Sequence, residues 1–148
     1  MFATQNHLEA TAALVARMAH VGQADKAGEP YITHPARVVA RIPATEHLDR
    51  AVAWLHDVVE DTDVTLDDLR PIFSPTVMLV LDALTHRDSE TRSDYYDRIL
   101  QSPIAIRVKT ADIADNADPD RLARLDPATR KRLTAKYDNA RSLLGIGA

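Results

Sequence analysis

Cysteine is absent from this sequence. Disulfides and thiolate metal sites are therefore excluded together, and any bound metal must be held by His, Asp or Glu. A chain without disulfides suits the cytoplasm, which is the expected location. Glycine is scarce: the four glycines, at positions 22, 28, 145 and 147, lie near apparent element boundaries. A compact helical domain tolerates that scarcity better than a turn-rich β fold. No run approaches the ~18 consecutive apolar residues of a membrane-spanning helix. The opening MFATQNHLEA lacks the basic segment and apolar stretch of a secretory leader. Surplus positive charge is missing as well. With a net charge of -4 and a pI near 5.8, the chain is a poor sheath for long nucleic acid. A small phosphorylated substrate remains compatible, because a bound divalent cation supplies local positive charge outside that sum.

Of the residues present, 45% are apolar and 27% charged, over a length of 148. That balance and length fit a single globular domain with one core, expected over 1–148. There is no internal repeat and no low-complexity tract. Helical periodicity dominates. Leu8, Ala12, Val15, Ala16 and Ala19 put one apolar face on a helix from about residue 4 to 21. A turn-rich loop follows, then a helix over about 34–42 carrying Val38, Val39 and Ile42. Residues 47–60 read as one further helix with Leu48, Ala51, Val52, Leu55, Val58 and Val59 inward. Thr65 and Asp68 resemble a capping box that opens a short helix. Ser74-Pro75, Ser102-Pro103 and Asp126-Pro127 share a signature, a capping side chain followed by proline at the first helical position. They open helices over about 75–85, 103–117 and 127–144, with another spanning about 91–100. The run Ile104–Val108 is the best strand candidate, but Pro103 and the continuing pattern favour helix. The fold class is all-α.

One helix end is chemically odd. Leu55-His56-Asp57-Val58-Val59-Glu60-Asp61-Thr62 crowds acids at the C-terminus of the 47–60 segment. Partial negative charge there disfavours each acid by roughly 0.3–1 kcal/mol at an exposed site. His56 and Glu60 are four residues apart, as are Asp57 and Asp61, so each pair shares a face. His56 and Asp57 differ by about 100° around the axis and can both reach one ion lying between their directions. A divalent cation would offset the crowded charge; a solvated acidic end with a surface histidine is the alternative. His34, in Tyr31-Ile32-Thr33-His34-Pro35, begins a helix, where a histidine by itself reads as a cap or a core residue. Asp112 sits in an otherwise apolar helix, where an acid is costly if buried unpaired. Asn116 lies one turn beyond it on the same face.

Five stretches carry a resemblance: Ala19-His20-x-Gly22-Gln23, Gly28-Glu29-Pro30-Tyr31-Ile32-x-His34-Pro35, the 55–62 octapeptide, Leu84-Thr85, and Lys109-x-Ala111-Asp112-x-x-x-Asn116. Their order resembles that of the HD superfamily hydrolases, and more narrowly the hydrolase domain of RelA/SpoT-type alarmone enzymes and the small alarmone hydrolases. The resemblance runs from about residue 4 to 144. It implies a multi-helix HD-domain bundle with one Mn²⁺ held by His34, His56, Asp57 and Asp112. It also implies removal of the 3′-pyrophosphate from (p)ppGpp, with GDP or GTP and pyrophosphate as products. Glu60 and Asp61 match the acids that position or activate the attacking water. Asn116 matches a contact to the nucleotide sugar, and Lys26 a basic residue near the phosphates or base. Within these residues there is no room for a synthetase segment, so synthesis of the alarmone is not expected.

The chain departs from that pattern at two places. Asp25 stands where the family usually has Arg. After Asp112 the family reads Arg-x-x-Asn with His before the Asn, whereas here Ile113, Ala114 and Asp115 precede Asn116. A phosphatase acting on another nucleotide, such as NADPH or a nucleoside phosphate, is therefore the second reading, and a non-catalytic nucleotide-binding module the third. His and carboxylate ligands suit Mn²⁺, Fe²⁺, Co²⁺ or Zn²⁺. Candidate phosphate contacts are Lys26, Arg87, Arg92, Lys109, Arg121 and Arg124. Tyr31 is a candidate to stack on a base; Trp54 lies on an apolar face and belongs in the core.

Overall fold

In the computed structural model the backbone of residues 5–147 is described. Ten helical segments follow one another among the described residues: α1 (Gln5–Ala19), α2 (Thr33–Ala40), α3 (His47–Leu55), α4 (Val58–Asp61), α5 (Leu66–Leu69), α6 (Pro75–Leu84), α7 (Arg92–Leu100), α8 (Pro103–Asn116), α9 (Pro119–Leu122) and α10 (Pro127–Leu144). The fold is all-α. Among the described residues the one extended pairing is an isolated antiparallel bridge between Ala24 and Pro30, and the run Ile104–Val108 is helical. No described helix is long and apolar enough to cross a membrane.

Local chemistry sets the helix starts. Ser74, Ser102 and Asp126 accept hydrogen bonds from the backbone N–H groups of Val77, Ala105 and Thr129, each with proline behind the cap. Thr65–Asp68 forms the expected capping box, and Thr91–Asp94 forms a second. Each satisfies helix-end donors that would otherwise lack partners. The same signature at Asp118-Pro119 opens α9, a one-turn helix not anticipated from the pattern because it adds too few residues to show a period.

The segment expected as one helix over 47–60 is two helices, α3 and α4. His56 is the culprit: its Nδ1 lies 2.6 Å from the carbonyl oxygen of Ala53, the group an unbroken helix would offer to the amide of Asp57. Asp57 then takes φ -104° and ψ -3°, in the sparsely used bridge between α and β conformations. The chain turns at the very residues the sequence singled out for chemistry.

Packing converges on α8, which touches α2, α3, α6, α7 and α10, while α1 lies along α3. Val38, Val39, Ile42, Ala51, Val52, Leu55, Val58 and Val108 are buried in one apolar cluster. Leu8, Val15, Ala19, Leu48 and Val59 are half-buried against it. Since α8 is wrapped on several sides, its polar residues Asp112 and Asp115 are buried too. Leu55, 1% exposed, is the last apolar residue before the turn. Leu55→Ala should cost about 2–5 kcal/mol, to be read from urea unfolding of the chelator-treated protein.

Candidate metal centre and the cavity beside it

Three chain segments bring four side chains together: His34, His56 and Asp57 have ligand atoms all within 4.8 Å of one another, and Asp112 adjoins both rings. His34 comes from the first turn of α2, His56 and Asp57 from the turn between α3 and α4, and Asp112 from α8. The Nε2 of His34 lies 3.1 Å from Oδ1 of Asp112 and 3.5 Å from Oδ2 of Asp57. The Nε2 of His56 lies 3.1 Å from Oδ2 of Asp57 and 3.5 Å from Oδ1 of Asp112. His34, His56 and Asp112 are buried, and Asp57 nearly so.

Those spacings suit an ion. Ligand atoms held ~2.1 Å from one centre, about 90–109° apart, stand roughly 3.0–3.4 Å from each other. The imidazole chemistry agrees. His56 Nδ1 faces a carbonyl, which only accepts, so Nδ1 carries the proton and Nε2 of the neutral ring offers a lone pair. That Nε2 is buried and has no hydrogen-bond partner. His34 is arranged alike, with Nδ1 2.8 Å from Oδ2 of Asp115 and Nε2 turned to the shared point. The set of two imidazoles and two carboxylates could hold a divalent transition ion. In the bare site protons take that place. Burial disfavours charge on His34, but hydrogen bonds to Asp112, Asp115 and Asp57 outweigh it and raise the ring to about 11. Burial likewise opposes charge on His56, and neighbouring Asp57 overturns it. The paired carboxyls of Asp57 and Asp112 are held low against their own burial, mainly by His56 and by Lys109 respectively.

A ring of neighbours fixes the four. The Lys109 ammonium donates to Oδ2 of Asp112 at 2.8 Å, and Asn116 Nδ2 donates to Oδ1 at 2.7 Å. The Tyr31 hydroxyl lies 2.6 Å from Oδ2 of Asp57 and 3.0 Å from Oδ2 of Asp61. Lys109, Asn116 and Tyr31 therefore engage the candidate ligands while also lining the adjoining cavity. Asp115, beneath His34, stands out in the sequence only as a departure from the resemblance; its spacing of three from Asp112 is also that of an ordinary helix surface pair.

The cavity beside this centre measures about 520 Å³. Glu60 and Asp61 line it from α4. Burial raises both carboxyls above their ordinary values, and in each the charge of Asp57 pushes the same way. The backbone N–H of His86 donates to Glu60, holding that carboxyl in place. Cations line the cavity too: Lys26, Arg92, Arg121 and Arg124, together with Lys136 of α10. Lys136 went unnoticed in the sequence, where it is one base among several on an exposed helix; burial and the charges of Arg92, Lys109 and Lys26 lower it. Arg87 lies outside this cavity and pairs with Asp82 at 2.9 Å. Tyr95, Tyr96 and Tyr137 line the wall, with the Tyr95 hydroxyl donating to the Leu84 carbonyl at 2.7 Å. Trp54 is buried in the core, as expected, with the Arg17 guanidinium 5.4 Å above its ring. Asp25 accepts backbone N–H bonds from Ala27 and Glu29 and pairs with Arg121 at 3.3 Å. Its reversed charge is thereby taken up locally.

Residues 12–144 match the family model described as "HD domain". A Haemophilus influenzae protein named guanosine-3′,5′-bis(diphosphate) 3′-pyrophosphohydrolase is 38% identical over 132 residues, covering 81% of this chain. The Escherichia coli K12 protein named bifunctional (p)ppGpp synthase/hydrolase SpoT is 39% identical over the same length and share. The chain spans 19% of the length of these curated relatives. A solved structure described as "A metazoan ortholog of SpoT hydrolyzes ppGpp and plays a role in starvation responses" has the same fold, with a TM-score of 0.73 at 23% identity over 93% of this chain and 85% of that one.

Divalent ion should stabilise the chelator-treated protein, by about 2.7 kcal/mol at a concentration one hundred times Kd, and His56→Ala should abolish the rise in Tm. Both rings are raised above the ordinary imidazole value, so ion binding should expel protons and tighten as pH rises. Calorimetry in two buffers of different ionisation enthalpy measures the release; a binding enthalpy independent of buffer would contradict it.

Proposed function

Since this chain belongs to the HD-domain family, we propose that it is a metal-dependent phosphohydrolase that removes the 3′-pyrophosphate from (p)ppGpp, leaving GDP or GTP. The observation that carries the reading is the polarity of one cavity. At one end two imidazoles and two carboxylates meet; along the walls stand Lys26, Arg92, Arg124 and Lys136, none of which makes an ion pair among the described residues. Unpaired cations beside a metal centre suit a substrate with more than one phosphate group. The names of the Haemophilus and Escherichia relatives, of which this chain spans 19%, support a guanosine polyphosphate as that substrate.

In this reading His34, His56, Asp57 and Asp112 hold the ion, for which we propose Mn²⁺. An ion held there would supply Lewis acidity, lowering the pKa of a water and polarising a phosphoryl oxygen. Glu60 and Asp61 would accept a proton from the attacking water and deliver one to the leaving group, tasks for which a carboxyl raised by burial is better matched than an ordinary one. The Tyr31 hydroxyl aims Asp61, and the His86 N–H aims Glu60. Lys109 and Asn116 steady Asp112 from the cavity side, where they also face the substrate. Lys26 and the other wall cations receive phosphates, and Tyr31 offers its ring face.

Asp25, in place of a cation, favours the second reading, a phosphatase for another nucleotide. Incubation of chelator-treated protein with ppGpp, pppGpp, NADPH and nucleoside phosphates, with and without Mn²⁺, separates the two. Pyrophosphate release from ppGpp that requires Mn²⁺ supports the first. Release of phosphate from a different nucleotide alone replaces the substrate, and tight binding with no turnover removes catalysis. Glu60→Gln and Asp61→Asn should each lower kcat ~10²–10⁴-fold with metal affinity retained. Tm of the bare variants should hold or rise, because a carboxyl raised in the fold destabilises it as pH climbs past the unfolded value, and the amide does not ionise.

A further inference from the structure

Asp115 is the most deeply buried acid of the molecule, with 0% of its surface exposed. Its carboxylate meets His34 Nδ1 at 2.8 Å. Arg37 Nε donates to Oδ1 at 3.0 Å and to Oδ2 at 3.2 Å. Arg41 Nη2 stands 3.8 Å from Oδ1, and Arg121 Nε 4.0 Å from Oδ2. Arg121 in turn reaches Asp25 with Nη2 at 3.3 Å. The two acids at which the sequence departs from its resemblance are thus joined through one guanidinium.

The two imidazoles at the centre are held unequally. His56 rests on a neutral backbone carbonyl, whereas His34 rests on a full carboxylate. A carboxylate behind a ligating imidazole fixes its tautomer and orientation and raises its basicity. We propose that Asp115 is a positioning residue for the metal ligand His34, keeping the proton on Nδ1 and aiming Nε2 as the stronger imidazole donor of the pair. Arg37, Arg41 and Arg121 surround the same carboxylate on its other sides. This rests on the metal-centre reading of the proposed function.

A purely structural role, in which Asp115 merely ties α2 to α8 through Arg37, predicts something different. Arg37→Ala breaks that tie from the other side and leaves the carboxylate on His34. The test is the dissociation constant for Mn²⁺ and for Co²⁺, measured by calorimetry without nucleotide on the wild-type chain, Asp115→Asn, Asp115→Ala and Arg37→Ala. The visible absorption of the Co²⁺ forms and the ring-nitrogen NMR of the Zn²⁺ forms are recorded alongside. Asp115→Ala should weaken binding ~10–100-fold and alter the Co²⁺ spectrum. Asp115→Asn, which keeps an acceptor but no charge, should fall between it and wild type and keep the Nδ1–H tautomer. Arg37→Ala should lose stability with little change in affinity. Equal affinities in wild type and both Asp115 variants, or a loss in Arg37→Ala matching that in Asp115→Asn, would overturn the proposal. Should Asp115→Ala fail to fold, Asp115→Asn and Arg37→Ala decide it. Wild-type protein that binds neither ion would overturn the metal reading and this proposal together.

Discussion

Packing two imidazoles and two carboxylates into one buried point is the constraint around which the rest of the molecule is arranged. An isolated carboxylate taken out of water costs several kcal/mol unless it is paired. Here Asp57 and Asp112 approach the same two rings within 3.1–3.5 Å. Such a cluster persists only with positive charge at its centre, from protons or from an ion. Tyr31, Lys109 and Asn116 hydrogen-bond to its acids, and Asp115 and the Ala53 carbonyl fix its rings.

That constraint explains features of the fold with no obvious merit of their own. The interruption between α3 and α4 gives up helix continuity, and with it a straight path through 47–60. In return His56 is locked by the Ala53 carbonyl and Asp57 is turned to the same side. α8 carries Asp112 and Asp115 buried within the bundle, with Lys109 and Asn116 half-buried beside Asp112. Polar residues in so enclosed a helix are tolerable because each has a partner: Lys109 and Asn116 on Asp112, His34 and Arg37 on Asp115. The result is a centre held from three directions by groups that do not themselves need to move.

Charge is then distributed along the cavity. Acids dominate where Asp57, Asp112, Glu60 and Asp61 meet, and cations face them from α7, α9 and α10. The chain as a whole is acidic, yet this wall is not. A net charge of -4 is a statement about the whole surface, and a wall a few side chains wide is free to run against it. The position that looked most damaging to a phosphate site, Asp25, is covered by two backbone amides and Arg121, so its effect on the cavity is smaller than its sign suggests.

Much of this was legible in the order of residues. Capping side chains before proline marked the starts of α6, α8 and α10, because a cap and a fixed φ act within one turn. Periodicity exposed the apolar faces of α2 and α3, and the octapeptide at 55–62 stood out because acids at a helix end are electrostatically misplaced. His34 and Asp112, each ambiguous alone, became informative through their resemblance to ordered motifs. The break at His56–Asp57 was not legible, since it depends on a side chain competing for a backbone carbonyl. Nor was the partnership of Asp115 with His34, 81 positions apart, nor the place of Lys136 on the cavity wall. The sequence by itself determined which residues can cap, bury or ligate, because those capacities belong to single side chains and their near neighbours. Only the tertiary structure decided which of them meet, because distances across the bundle are set by how α2, α3 and α8 pack, and packing is a property of the whole chain.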